Sequence, residues 1–168
     1  MNNHEAYELT MKWPNFVEEF LEEGDRAAVI YSSSLLDDLL ARLLKAFLID
    51  KKASEELLFG GHAPLSTFSS RIKSCFCLGL ILEEEYLDLN KIRKIRNEFA
   101  HNWDDINLND SKLSQICKSM FYIRTDIEPK NQVPRQCYNT AIGVLFPRLV
   151  HRAMKVEARA ELNERDIV

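Results

Sequence analysis

Apolar residues recur along this chain at helical spacing. The clearest stripe is Leu36, Leu39, Leu40, Leu43, Leu44, Phe47 and Leu48, the i, i+3, i+4, i+7 pattern of a core-facing helix. It predicts a long helix capped by Asp25 and running to about Asp50, with Asp38, Arg42 and Lys45 on solvated or paired faces. Before it, Pro14 suits a first turn and Gly24 a stop, which predicts a short helix over Pro14 to Glu23. Ser54 is placed to cap a helix through Phe59, and Gly60 to Pro64 reads as a connector. Ser66 then starts a helix with Phe68, Ile72, Cys75, Phe76 and Leu78 inside, ended or bent at Gly79. A further helix runs from about Leu82 to Asn102, a shorter one from Ser111 to Phe121, and a last one from Pro134 to about Asn163. Pro147 should kink that last helix or split it.

The expected fold is therefore all-α, a single-domain bundle of about six to seven helices spanning residues 1–168. Five glycines and five prolines are too few for a loop-rich β architecture. The formal net charge of −4, from 22 basic and 26 acidic residues, argues against the broad basic surface of a DNA-binding protein. No short, Gly-centred turn leads into a basic recognition helix. The opening residues are polar and acidic rather than signal-like, and no apolar run approaches the roughly 20 residues of a membrane span. A cytoplasmic location is expected. Cys75, Cys77, Cys117 and Cys137 form no C-x-x-C pair, so the expectation is reduced, mostly buried thiols and no metal or other cofactor. The charged tail, residues 155–168, reads as solvated.

The chemistry concentrates at the end of the Leu82–Asn102 helix. Glu83, Glu84 and Glu85 occupy its first turn and Lys91, Arg93, Lys94 and Arg96 its second half, each where the helix dipole favours that sign. On a wheel at about 100° per residue, Leu89, Ile92, Ile95, Phe99 and Trp103 face the core. Arg93, Arg96 and Ala100 flank that arc, which puts Arg96 at its rim. Asn97 and His101 lie slightly further round as i, i+4 neighbours. Arginine offers a planar donor fork that matches a phosphate, histidine exchanges a proton near neutral pH, and asparagine orients either. Together Arg96, Asn97 and His101 could act on a ribose 2′-hydroxyl and its phosphate without a metal. Lys91, Arg93 and Lys94 would supply a binding patch for RNA. Arg96 and His101 are five residues apart and do not stack, so such a site needs a distorted helix end or a second copy of the chain. The same residues also suit a plain helix C-terminus.

The segment Ile95-Arg96-Asn97-Glu98-Phe99-Ala100-His101-Asn102 resembles the R-N-x-x-x-H motif of the HEPN superfamily of small, commonly dimeric helical bundles. Many of its members are metal-independent ribonucleases, and others are binding or regulatory modules. A wider stretch resembles the mannitol operon repressor (MltR) family. Pro64 to Lys73, Leu78 to Ile81, Glu85 to Leu89 and Ile95 to His101 follow its order, with the best match over about residues 57–102. Ala63 stands where that family commonly has glycine. The MltR resemblance implies a helical bundle and a homodimeric regulator that acts through a protein partner rather than by reading DNA; the alternative is a HEPN-type ribonuclease of the toxin or defence kind.

Overall fold

The computed structural model describes residues 20–102, 105–123, 126, 128 and 131–163. Among them are six helices: α1 (Asp25–Phe47), α2 (Lys52–Leu58), α3 (Phe68–Cys77), α4 (Glu83–His101), α5 (Ser111–Lys118) and α6 (Pro134–Asn163). There is no strand among the described residues. The all-α bundle expected from the periodicity is the observed architecture. Of the expected Pro14–Glu23 helix, residues 20–22 are helical and its first part lies outside the described residues, as do Trp103 and the tail beyond Asn163.

The predicted stripe on α1 forms the centre of the core. Leu36, Leu39, Leu40, Leu43 and Leu44 are fully buried, while Phe47 at its end is exposed. The long pairing of α1 with α6 is the largest in the fold, and α4 and α3 close the other side of α1. From α4 come Leu89, Ile92, Ile95 and Phe99, and from α6 Tyr138, Ala141, Ile142, Leu145 and Leu149, all buried. Removing that apolar area from water is the main favourable contribution to folding. The Tyr138 hydroxyl within that core is satisfied, lying 2.8 Å from Ser32 Oγ. Burial pushes the Tyr138 hydroxyl well above the ordinary phenol range, so it stays protonated.

Local chemistry moved several helix starts. Asp25 is not the cap of α1. Gly24 is, and the Asp25 carboxylate instead accepts from Leu108 N at 2.7 Å and from Arg135 at 2.8 Å, tying α1 to two distant segments. Ser54 lies inside α2 and donates to Ile49 O at 2.6 Å. Thr67, not Ser66, caps α3, in a reciprocal pair of bonds with Ser70. Gly79 does end α3. At φ +68° it lets Leu80 N reach Cys75 O at 2.8 Å and its own N reach Phe76 O at 3.0 Å, a Schellman close. Pro147 does not split α6, which is helical without interruption from Pro134 to Asn163. An apolar face held against α1 keeps the helix continuous where an isolated helix would break.

Candidate functional site

Helix α4 carries the predicted site and has two unlike flanks. On the first flank, Glu85 and Asp88 are completely buried. Glu85 reaches back to cap Leu82 N at 2.8 Å and takes both arms of Arg152, one of them at 3.0 Å, with Arg148 at 3.7 Å. Asp88 accepts from Phe121 N at 2.8 Å and Tyr122 N at 3.0 Å, and Lys91 Nζ stands 3.2 Å away. Lys91 also donates to Ser119 O. Arg148 stacks over Tyr122 at 4.9 Å from the ring centre and donates to its hydroxyl. All four carboxylate oxygens have partners within the chain. Buried charges survive only when paired and hydrogen-bonded in this way.

The second flank is different. Arg96 and His101 are exposed and Asn97 is half-buried. Arg96 donates to Asn97 Oδ1 at 3.3 Å, so the structure brings those two together. It does not bring His101 to Arg96 within one chain, because α4 stays helical through His101 and leaves them five residues apart; Asn97 and His101 remain i, i+4 neighbours. Arg96 is exposed rather than tucked at the rim position given by the wheel. Of the three predicted binding cations, Lys94 is exposed and Arg93 half-buried on the open side, whereas Lys91 is held by Asp88 and Ser119 on the closed one.

Three elements meet beside Arg96. Asp37 of α1 pairs with Arg71 of α3 at 2.8 Å, and Arg71 also donates to Leu65 O at 2.9 Å and Leu58 O at 3.3 Å. Burial raises the Asp37 carboxyl above its ordinary value, while Arg71 and then Arg96 pull it back. Below the motif, Arg26 of α1 closes the end of α4. It donates to Phe99 O and, at 3.0 Å, to Asn102 O, with its guanidinium over the Phe99 ring. A cation there satisfies orphan carbonyls and the negative helix end.

Residues 15–144 match the family model described as mannitol repressor, MtlR. The chain belongs to the mannitol repressor family. A search of curated proteins found no match. Among solved structures, a chain in the X-ray structure of the MtlR–HPr complex from Escherichia coli is similar at TM-score 0.57 and 21% identity, over 85% of this chain and 99% of that one. At that identity the likeness concerns the fold.

In this member of the mannitol repressor family, the pattern reading missed the most organised polar cluster. Glu85 looked like a dipole-favoured acid of the first turn and Asp88 drew no reading of its own, yet both share the arc of Leu89, Ile92 and Ile95. That i, i+3 placement of acids within an apolar arc was the available signal. The Glu85 partner Arg152 is 67 residues away in sequence, and Asp88 is held by Phe121 N, 33 residues on, and Tyr122 N, 34 residues on. The four cysteines are free, with Cys75, Cys117 and Cys137 buried and Cys77 exposed. Among the described residues, no group of His, Cys, Asp and Glu is arranged to hold a metal, and no helix is long and apolar enough to cross a membrane.

Proposed function

We propose that the protein is a cytoplasmic regulator that acts by binding another protein, as a homodimer and without reading DNA itself. The observation that carries this reading is the mannitol repressor family match over residues 15–144. The similar fold in the MtlR–HPr complex supports it, because there the complex contains a second protein, HPr. A partner of the HPr kind is thus the first to try. Titrating the full chain with HPr in a calorimeter should give a saturable heat. No heat, with no co-elution on a sizing column, would overturn the assignment of that partner. A shift assay with non-specific DNA at low salt should show no binding; a shift there would count against the indirect mode.

A second reading, a HEPN-type ribonuclease, is favoured by the exposed Arg96–Asn97 pair and the exposed His101. Arg96 would stabilise the phosphate, His101 would act as acid or base, and Asn97 would position one of them. Since His101 stays apart from Arg96 within the chain, the second copy of a dimer would complete the site. RNA cleavage in EDTA, leaving a 2′,3′-cyclic phosphate, is the expected activity. Cleavage that survives both Arg96→Ala and His101→Ala would reject these roles.

A further inference from the structure

Helix α6 carries a second cationic feature, apart from the motif on α4. Arg148, His151, Lys155 and Arg159 recur along it at i, i+3, i+7 and i+11. At about 100° per residue they share an arc of about 80° and extend roughly 16 Å along the axis. Glu157 is the sole acid in that stretch; it falls on the opposite side of the helix and is half-buried. Arg152 belongs to the same arc but is turned inward and held by Glu85.

The other cations face outward. His151, Lys155 and Arg159 are exposed, and their side chains form no ion pair or hydrogen bond among the described residues. Arg148 donates to the Tyr122 hydroxyl at 2.8 Å, yet its side chain stays 45% exposed. The helix dipole does not account for the stripe, because it acts within the last turn and α6 runs on to Asn163. Lys155 and Arg159, at i, i+4, repel one another, so the free helix is less stable for carrying both.

An aromatic step adjoins the Arg148 end. The Arg148 guanidinium lies 4.9 Å from the centre of the Tyr122 ring. Phe121 meets that ring edge-on at 5.2 Å and remains 57% exposed. Asp88 fixes the step by accepting from the backbone N–H of both residues. Pre-ordered aromatic and arginine side chains of this kind are the usual anchors of protein interfaces.

Charge selects the occupant. The chain as a whole is acidic, with 26 acidic residues against 22 basic ones. A nucleic-acid strand or a membrane plane is an extended polyanion that reaches well beyond the stripe and is repelled by the acidic remainder. A short acidic segment of a protein fits within it. Resting on the protein-partner reading above, we propose that this face of α6 docks an acidic segment of the partner. Its carboxylates lie along Arg148, His151, Lys155 and Arg159, and an apolar side chain packs on Phe121.

The test is fluorescence anisotropy at low salt, titrating the full chain into a labelled helical peptide. That peptide carries glutamates at i, i+3, i+7 and i+11 and a leucine one turn before the first. Binding should saturate at one peptide per chain and weaken as salt rises. Lys155→Glu combined with Arg159→Glu should weaken it about tenfold or more. Phe121→Ala, which keeps the backbone N–H that Asp88 holds, should weaken it about tenfold without changing the salt dependence. Lys52→Glu, on α2, should leave it unchanged, and circular dichroism should show every variant folded. No saturable binding, equal binding of the glutamine version of the peptide, or full binding by the Lys155→Glu, Arg159→Glu variant overturns the proposal. Single-stranded RNA or phosphatidylserine vesicles that displace the peptide at equal charge would also overturn it, by putting another polyanion in the partner's place. The two readings fail separately: HPr heat without peptide binding removes this face and leaves the partner reading, whereas the loss of both removes both.

Discussion

The two flanks of α4 are made from similar residues and behave as opposites. On one, Glu85 and Asp88 are wholly buried and wrapped by Arg148, Arg152, Lys91 and the backbone at Phe121 and Tyr122. On the other, Arg93, Lys94, Arg96 and His101 form no ion pair among the described residues. The closed flank is architecture, because its charges bind α4 to α6 and to the 119–122 segment. The open flank leaves its charges available to something outside the chain. Pairing therefore discriminates structure from function here better than charge or residue type does.

The largest expected effect comes from opening the closed flank. Glu85→Ala leaves Arg152 half-covered and unpaired, and should cost roughly 3–5 kcal/mol in urea unfolding. A loss below about 1 kcal/mol would show that the buried pair contributes nothing and would erase the contrast.

Alkaline titration examines the same side. Burial raises the Cys75 and Cys117 thiols from 9.0 to about 12, and Arg152 is the charge that Cys75 feels. The unfolded chain therefore ionises these thiols first. Their contribution to stability is complete below about pH 9 and falls as pH rises toward 12, by about 1.4 kcal/mol per pH unit for each thiol. Urea midpoints measured from pH 8 upward should decline accordingly. With the exposed thiol removed by Cys77→Ser, thiolate absorbance appearing in the folded protein near pH 9 would show that the flank is open to water.

Asp37 marks the border between the two flanks. Asp37→Asn removes the ion pair with Arg71 but preserves the shape, and should cost about 1 kcal/mol. It also removes a carboxylate whose charge Arg96 feels, so any anion bound beside Arg96 should bind more tightly.

The smallest effect belongs to the open flank itself. Arg93→Met keeps the packed stem and removes a buried Nε donor that has no hydrogen-bond partner, and unfolding should change by no more than about 0.5 kcal/mol, toward greater stability. A large loss of stability would mean that Arg93 has a structural partner, and would move it to the architectural side of the comparison.

Much of this was legible in the sequence. The stripe from Leu36 to Leu44 identified α1 and its buried face, and Gly79 identified the end of α3, because periodicity and positive-φ glycine act locally. The order of segments from Pro64 to His101 pointed to the family that the match over residues 15–144 shows. Helix caps were less legible. Asp25, Ser54 and Ser66 are all good cap residues, but tertiary partners or a neighbouring Thr67 took the role elsewhere.

The sequence by itself determined that the chain is helical, which faces of its helices are apolar, and that Arg96, Asn97 and His101 share one helix end. Those properties depend on residues within a few turns of one another. Only the tertiary structure decided which charges are spent. Glu85 meets Arg152 across 67 residues, Asp37 meets Arg71 across 34, and Arg26 reaches Phe99 across 73. A charge is silenced or left available by its partner in space, and no local pattern encodes that partner. For the same reason, Lys91 and Arg93 look alike along the chain and stand on opposite sides of the division in the fold.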